Sequence, residues 1–304
     1  MTNKEWNQWN DQQLRIYSGI LFHHQKLAQK NTDERIIYDF SCPEFSTLRE
    51  KYELEKIAGQ GSDFTRAKRL LHNLAPRLHH SSWYDNHVPC NALDLLSYSL
   101  DNPEQGINCL NKSKILAECC LALGIYARRV SIMPFSPYDF DNHVVTEIYD
   151  RKLKKWIMLD ATLDGYFVDG NKQPLSMLEM RNKFANDAFV TFVRTTNRLT
   201  DLEKLRRNYT YQNAYICKNL FYFSIEQQNR FGPGDSFLTI CPIHYHIREN
   251  RIANAQYRIC HMPEEYQEFT AHWKKRLEEL IAMEEPVKTA ASVMEASPLQ
   301  ENNE

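Results

Sequence analysis

Cys109, His143 and Asp160 are the residues in this chain whose types and placement suggest covalent chemistry. Cys109 follows the loop DNPEQGIN and opens CLNKSKILAECCLALG (109–124), which reads as a helix. A helix N-terminus favours negative charge, and a thiolate is the form in which cysteine attacks an acyl carbon. Read alone, a cysteine there also fits plain packing, since free cysteines are among the most buried residues. His143 begins the β-branched run HVVTEIY, and Asp160 ends KWIMLD. Singly, the histidine reads as a loop or edge residue and the aspartate as a turn cap. As a hairpin they gain meaning. A two- or four-residue turn about Arg151–Lys152 sets His143 directly opposite Asp160, Val145 opposite Met158 and Glu147 opposite Trp156. Directly opposed Cβ atoms lie about 5 Å apart. An aspartate so placed holds the imidazole tautomer and stabilises its protonated form. A five-residue turn would put the two on opposite faces.

The elements that must position these groups are also legible. SDFTRAKRLLHNLAPRLHH (62–80) starts with a cap at Ser62 and carries the stripe Phe64, Ala67, Leu71, Leu74. NALDLLSYSL (91–100) reads as a short apolar helix. The 109–124 helix has two adjacent apolar stripes, which suits a largely buried helix, and Gly124 is its stop. RRVSIM (128–133), HVVTEIY (143–149) and KWIMLD (155–160) read as strands. A helix is expected around 176–185 and a longer one over 263–283, with FLTICPIHYHI extended between them.

The bulk numbers narrow the class. Of 304 residues, 42% are hydrophobic and 25% charged, the usage of an ordinary globular chain with a sizeable core. The net charge of −2 supplies no basic field for nucleic acid or an anionic membrane. Only 9 glycines argue against a Gly-rich nucleotide-binding loop. The polar start MTNKEWNQWNDQQLRIYSGI has no apolar core of a signal peptide, and no run approaches the ~20 apolar residues of a membrane span. The expectation is a cytoplasmic protein whose eight cysteines are reduced thiols. Cys241, His244, His246, Cys260 and His261 have no standard zinc spacing, and no EF-hand loop is present, so no metal or other cofactor is expected. Lys112 and Lys114 read as a solvated helix face, Glu147 as an exposed partner for lysine, and Asp164 as a solvated turn residue.

The stretches GINCLNKSKILAECCLALGIYARRV and DNHVVTEIYDRKLKKWIMLDAT, in that order, resemble the transglutaminase-like superfamily over roughly residues 85–185. The resemblance implies an α+β, papain-like core: a nucleophile helix packed on a small antiparallel sheet, with flanking helices. It implies Cys109 as nucleophile, His143 as general base and Asp160 as orienting acid. Members also draw an oxyanion donor from an upstream Trp or Gln, for which Trp83 and Gln105 are available here. Where many members have an aromatic soon after the histidine, this chain has Val144-Val145. The implied organisation is a mostly helical extension (1–60), the catalytic core (61–200), an extension packed on it (201–285) and a disordered tail (286–304). The implied activity is hydrolysis of an amide or related acyl bond, or acyl transfer to an amine, through a thioester. The substrate would be a peptide, a protein or a small acyl compound. The alternative is a catalytically silent protein-binding module on the same fold.

Overall fold

The computed structural model describes residues 2–29, 35–195, 209–234 and 236–282. It is a mixed helix-and-sheet structure. The strands, in chain order, are β1 (Leu27–Gln29), β2 (Ile37–Tyr38), β3 (Ala127–Met133), β4 (His143–Asp150), β5 (Lys155–Leu159), β6 (Gly165–Asp169), β7 (Val190–Arg194), β8 (Tyr222–Glu226), β9 (Gln228–Asn229) and β10 (Phe237–Pro242). Six form one antiparallel sheet in the order β1-β10-β8-β3-β4-β5. A parallel pair, β2-β9, and an antiparallel pair, β6-β7, stand beside it. Strands from before residue 60 and after residue 200 thus share one sheet with β4 and β5. The expected tail, 286–304, lies outside the described residues.

Local signals explain the helices that frame the site. Ser62 caps Asp63–Leu74 by accepting the Thr65 N–H, and Asn91 caps Ala92–Asp101 through Asp94. Asn108 caps Cys109–Ala122 by accepting the Asn111 N–H at 3.2 Å. That helix stops where Gly124 takes φ +70°, a left-handed conformation open to glycine. Ser176 and Glu179 form a capping box on Met177–Ala185. The helix expected over 263–283 is broken: a short 3-10 turn, Glu264–Tyr266, precedes a helix at Phe269–Ala282. Ile247–His261 is a further helix, and Tyr209–Asn219 packs on Asn3–His23. Among the described residues no helix is long and apolar enough to cross a membrane.

The β4–β5 hairpin departs from the expected register by two residues. Glu147 faces Met158, Tyr149 faces Trp156 and Asp150 faces Lys155. The turn explains it. Asp150 stays in the strand, and one carboxylate oxygen accepts the Leu153 N–H at 2.8 Å. The other accepts the Phe64 N–H at 2.7 Å, tying the hairpin to the start of the Asp63–Leu74 helix. Asp63 there grips the Arg151 guanidinium with both oxygens, at 2.8 and 2.7 Å. Lys154 closes the turn at φ +54°. Since side chains alternate with period two, a two-residue shift keeps His143 and Asp160 on one face, now as diagonal neighbours.

Burial overturns four expectations. The Cys109–Ala122 helix lies between β3 and β4 on one side and three helices on the other: Glu44–Lys51, Asp63–Leu74 and Ala92–Asp101. It has no solvated face, so Lys112 and Lys114 are buried. Glu147 is buried too, paired with Arg128 at 2.7 Å and accepting the Met177 N–H at 3.0 Å. Asp164 is buried in a left-handed turn at φ +60°, where its carboxylate accepts the Thr195 hydroxyl.

Candidate active site

The Cys109–Ala122 helix meets the sheet at the start of β4. The Ser113 hydroxyl donates to the Val144 carbonyl at 2.7 Å, and the Thr146 hydroxyl donates to the Ser113 carbonyl at 3.0 Å. These bonds fix the helix against the strand that begins with His143. Cys109 occupies the first helical position and is partly exposed, whereas His143 and Asp160 are buried.

His143 Nε2 lies 2.7 Å from Asp160 Oδ2. The Cys109 side chain lies beside the imidazole, close enough to raise its proton affinity. With Nε2 engaged by the carboxylate, Nδ1 is the ring nitrogen left for another partner. Asp160 is held as firmly as it holds. Its Oδ1 accepts the N–H groups of Thr162 and Leu163, each at 2.9 Å. Its own backbone exchanges two hydrogen bonds with Gly165, at 2.8 and 3.1 Å. Any side chain at Gly165 would strike the Val193 carbonyl, so this close turn requires glycine.

Electrostatics follow the geometry. Burial lowers the affinity of His143 for a proton, but the Asp160 charge and hydrogen bond, with Cys109, reverse this and raise the group to about 10. Burial pushes the Asp160 carboxyl up, and the imidazolium with the backbone donors brings it below its ordinary value. The pair therefore rests as imidazolium and carboxylate. Burial raises the thiols of Cys42, Cys90, Cys119, Cys120 and Cys217.

The backbone N–H groups of Cys109 and Leu110, at the first helical positions, have no intrahelical acceptor and lie beside the thiol. They are the available donors for an oxyanion. Of the two expected side-chain donors, Trp83 is stacked face to face on Tyr266, ring centres 3.8 Å apart, and Gln105 accepts the Tyr98 hydroxyl through its carbonyl oxygen.

Two residues of the site had no signal in the sequence reading. His80 is brought in by a parallel bridge to Ile107, two residues before Cys109. A Cβ on Gly106 would come within 2.6 Å of the His80 carbonyl carbon, so glycine permits this approach. His80 feels the charges of Lys112, His143 and Asp160. His80 is itself exposed, and the protein packed around it first, then the nearby cations, lower its basicity. Tyr215, from the Tyr209–Asn219 helix, packs on the His143 ring in a T-shaped arrangement, ring centres 5.4 Å apart.

Among the described residues no three or more His, Cys, Asp and Glu side chains gather as a metal site would require. The arrangement presents the Cys109 sulfur beside an imidazole that a buried carboxylate orients. No protein-family model matches the chain, and no curated protein or solved structure matches it.

Proposed function

We propose that this protein is a cysteine enzyme with a transglutaminase-like core that acts on an amide or related acyl bond through Cys109, His143 and Asp160. The observation that carries this reading is the His143 imidazole, bonded to Asp160 Oδ2 at 2.7 Å on one nitrogen, with the Cys109 side chain beside it. The α+β architecture, with a nucleophile helix against an antiparallel sheet, is consistent with it.

In the forward step Cys109, its proton already passed to His143 so that the two stand as thiolate and imidazolium, adds through Sγ to the acyl carbon, and the carbonyl oxygen takes up negative charge facing the Cys109 and Leu110 N–H groups. The imidazolium of His143 gives its proton to the leaving amine or alkoxide, the carbon–leaving-group bond breaks, and a thioester remains. Neutral His143 then takes a proton from water or from an amine as that nucleophile attacks the thioester. Water gives hydrolysis, and an amine gives acyl transfer. Asp160 stays ionised throughout and holds the ring with Nδ1 toward sulfur.

The test is acyl-enzyme trapping. Brief exposure to p-nitrophenyl acetate, followed by intact mass measurement and peptide mapping, should show one acetyl group on Cys109. Cys109→Ala should show none. An acetylated lysine with Cys109 unmodified would turn the reading toward a silent binding module.

A further inference from the structure

The segment that delivers His143 is held from outside the hairpin. Residues 134–142 link β3 to β4, and the Tyr209–Asn219 helix fastens their end. Lys218 Nζ donates to Asp139 Oδ2 at 2.8 Å and to the Asp141 carbonyl at 2.9 Å. One turn earlier, the Tyr215 hydroxyl donates to Asp141 Oδ1 at 3.3 Å, and its ring reaches His143 at 65° to the imidazole plane. The Ile247–His261 helix adds Asn254 on the Pro137 carbonyl and Arg258 on the Phe140 carbonyl, each at 2.6 Å. One nitrogen of His143 is committed to Asp160, and the Cys109 side chain lies beside the ring. Among the described residues the Tyr215 ring packs on the imidazole, ring centres 5.4 Å apart and planes at 65°, and an aromatic face attracts a cation.

We propose that Tyr215 is a positioning residue for His143, its ring fixing the imidazole plane and favouring the imidazolium, while Lys218 anchors the segment that carries both. This rests on His143 as the acid–base group of the proposed reaction. Other groups around His143 act in parallel: Asp160 after β5, Cys109 at the helix start, His80 with Lys112 behind it, and Asp139 and Asp141, which share Lys218, whose ammonium also lies 5.6 Å over the Tyr215 ring.

The test follows the His143 ring carbon–proton resonances by NMR across pH, in the full chain, with a thermal melt of each variant. Tyr215→Leu should lower the pH at which His143 loses its proton by roughly half a unit to one unit. Tyr215→Phe should leave it in place, because the ring is kept and only the Asp141 bond is lost. Should the leucine variant fold poorly, pentafluorophenylalanine at position 215 keeps the ring's shape and reverses the charge of its face; the same downward shift is expected. Wild-type titration in both the leucine and the pentafluoro variants would overturn the proposal. So would a phenylalanine variant shifted as far as leucine. The readout does not depend on turnover: a Tyr215-dependent titration beside a thiol inert to p-nitrophenyl acetate sustains this inference and sinks the proposed reaction.

Discussion

The Cys109–Ala122 helix carries buried charge in two places, and they are built differently. At its start, Cys109 meets His143 and Asp160, and the thiol is partly exposed. One to two turns on, Lys114 lies 3.2 Å from Glu118 and 3.0 Å from Glu226, whose other oxygen pairs with Arg129 at 3.1 Å. The second cluster is closed by protein. Glu118 accepts the backbone N–H groups of Ala92 and Gly232, at 2.6 and 2.9 Å, and Lys114 also donates to the Arg230 carbonyl. Gly234 packs so tightly on Glu226 that a Cβ would overlap the carboxylate. These four groups pair with one another and with the backbone and so hold elements together, and burial raises the Glu118 carboxyl to about 7. The first cluster ends on Cys109, which is partly exposed. Buried charge alone does not mark a reactive site, and the proposed function rests on the cluster that ends on an accessible thiol.

Paired substitutions should separate the two clusters most sharply. Cys109→Ala should lose all acylation while unfolding free energy changes by less than about 1 kcal/mol. Lys114→Met leaves two carboxylates short of a cation and should cost about 3–5 kcal/mol in urea unfolding. If Lys114→Met folded with wild-type stability, the closed cluster would not be scaffold. Next in size, Asp160→Asn should slow acylation by roughly 10²- to 10³-fold while circular dichroism stays unchanged. The amide oxygen keeps the Thr162 and Leu163 donors. Its NH₂ then donates to Nε2, which leaves the proton on Nδ1, where it cannot accept one from sulfur. Equal single-turnover rates would remove Asp160 from the mechanism.

Stability against pH gives a smaller, signed effect. The His143 group is raised in the folded protein, from 6.5 to about 10. Its contribution is complete below pH 6.5 and is lost as pH rises toward 10. Asp160 is lowered from 3.8, so its contribution is present above that value and is lost as pH falls below it. The stability difference between wild type and His143→Gln should thus shrink between pH 6.5 and 10, measured by urea unfolding at each pH. A difference that grows over that range would reverse the assignment of charge. Smallest of all, Asp164→Asn should cost no more than about 1 kcal/mol and leave acylation unchanged. Asparagine tolerates the left-handed turn and keeps an acceptor for Thr195.

Much of the site was legible because its determinants are local. The helix start at Cys109, the β-branched run after His143 and the apolar strand before Asp160 are read over a few residues each. The hairpin register was not, because Asp150, Lys154 and the distant Asp63 and Phe64 set it together. The side-chain face survived the error because the shift was even. Lys112, Lys114 and Glu147 were misread for a related reason. A polar residue in a helix or strand reads as exposed until tertiary packing supplies a partner, and here Glu226 and Arg128 supply it from other strands. His80 and Tyr215 belong to segments joined to the site only through the fold, by a bridge beside Gly106 and by a helix more than 60 residues after His143.

The most direct test of the central claim sets Cys109 against Cys260, the exposed thiol on the Ile247–His261 helix. Limiting iodoacetamide at neutral pH, quenched early and mapped over all eight cysteines, reads their relative rates. If Cys109 is paired with His143 for attack, it should be labelled first despite its lower exposure, and His143→Ala should slow it to the rate of an ordinary thiol or below. Labelling led by Cys260, with Cys109 unaffected by the loss of His143, would contradict the account.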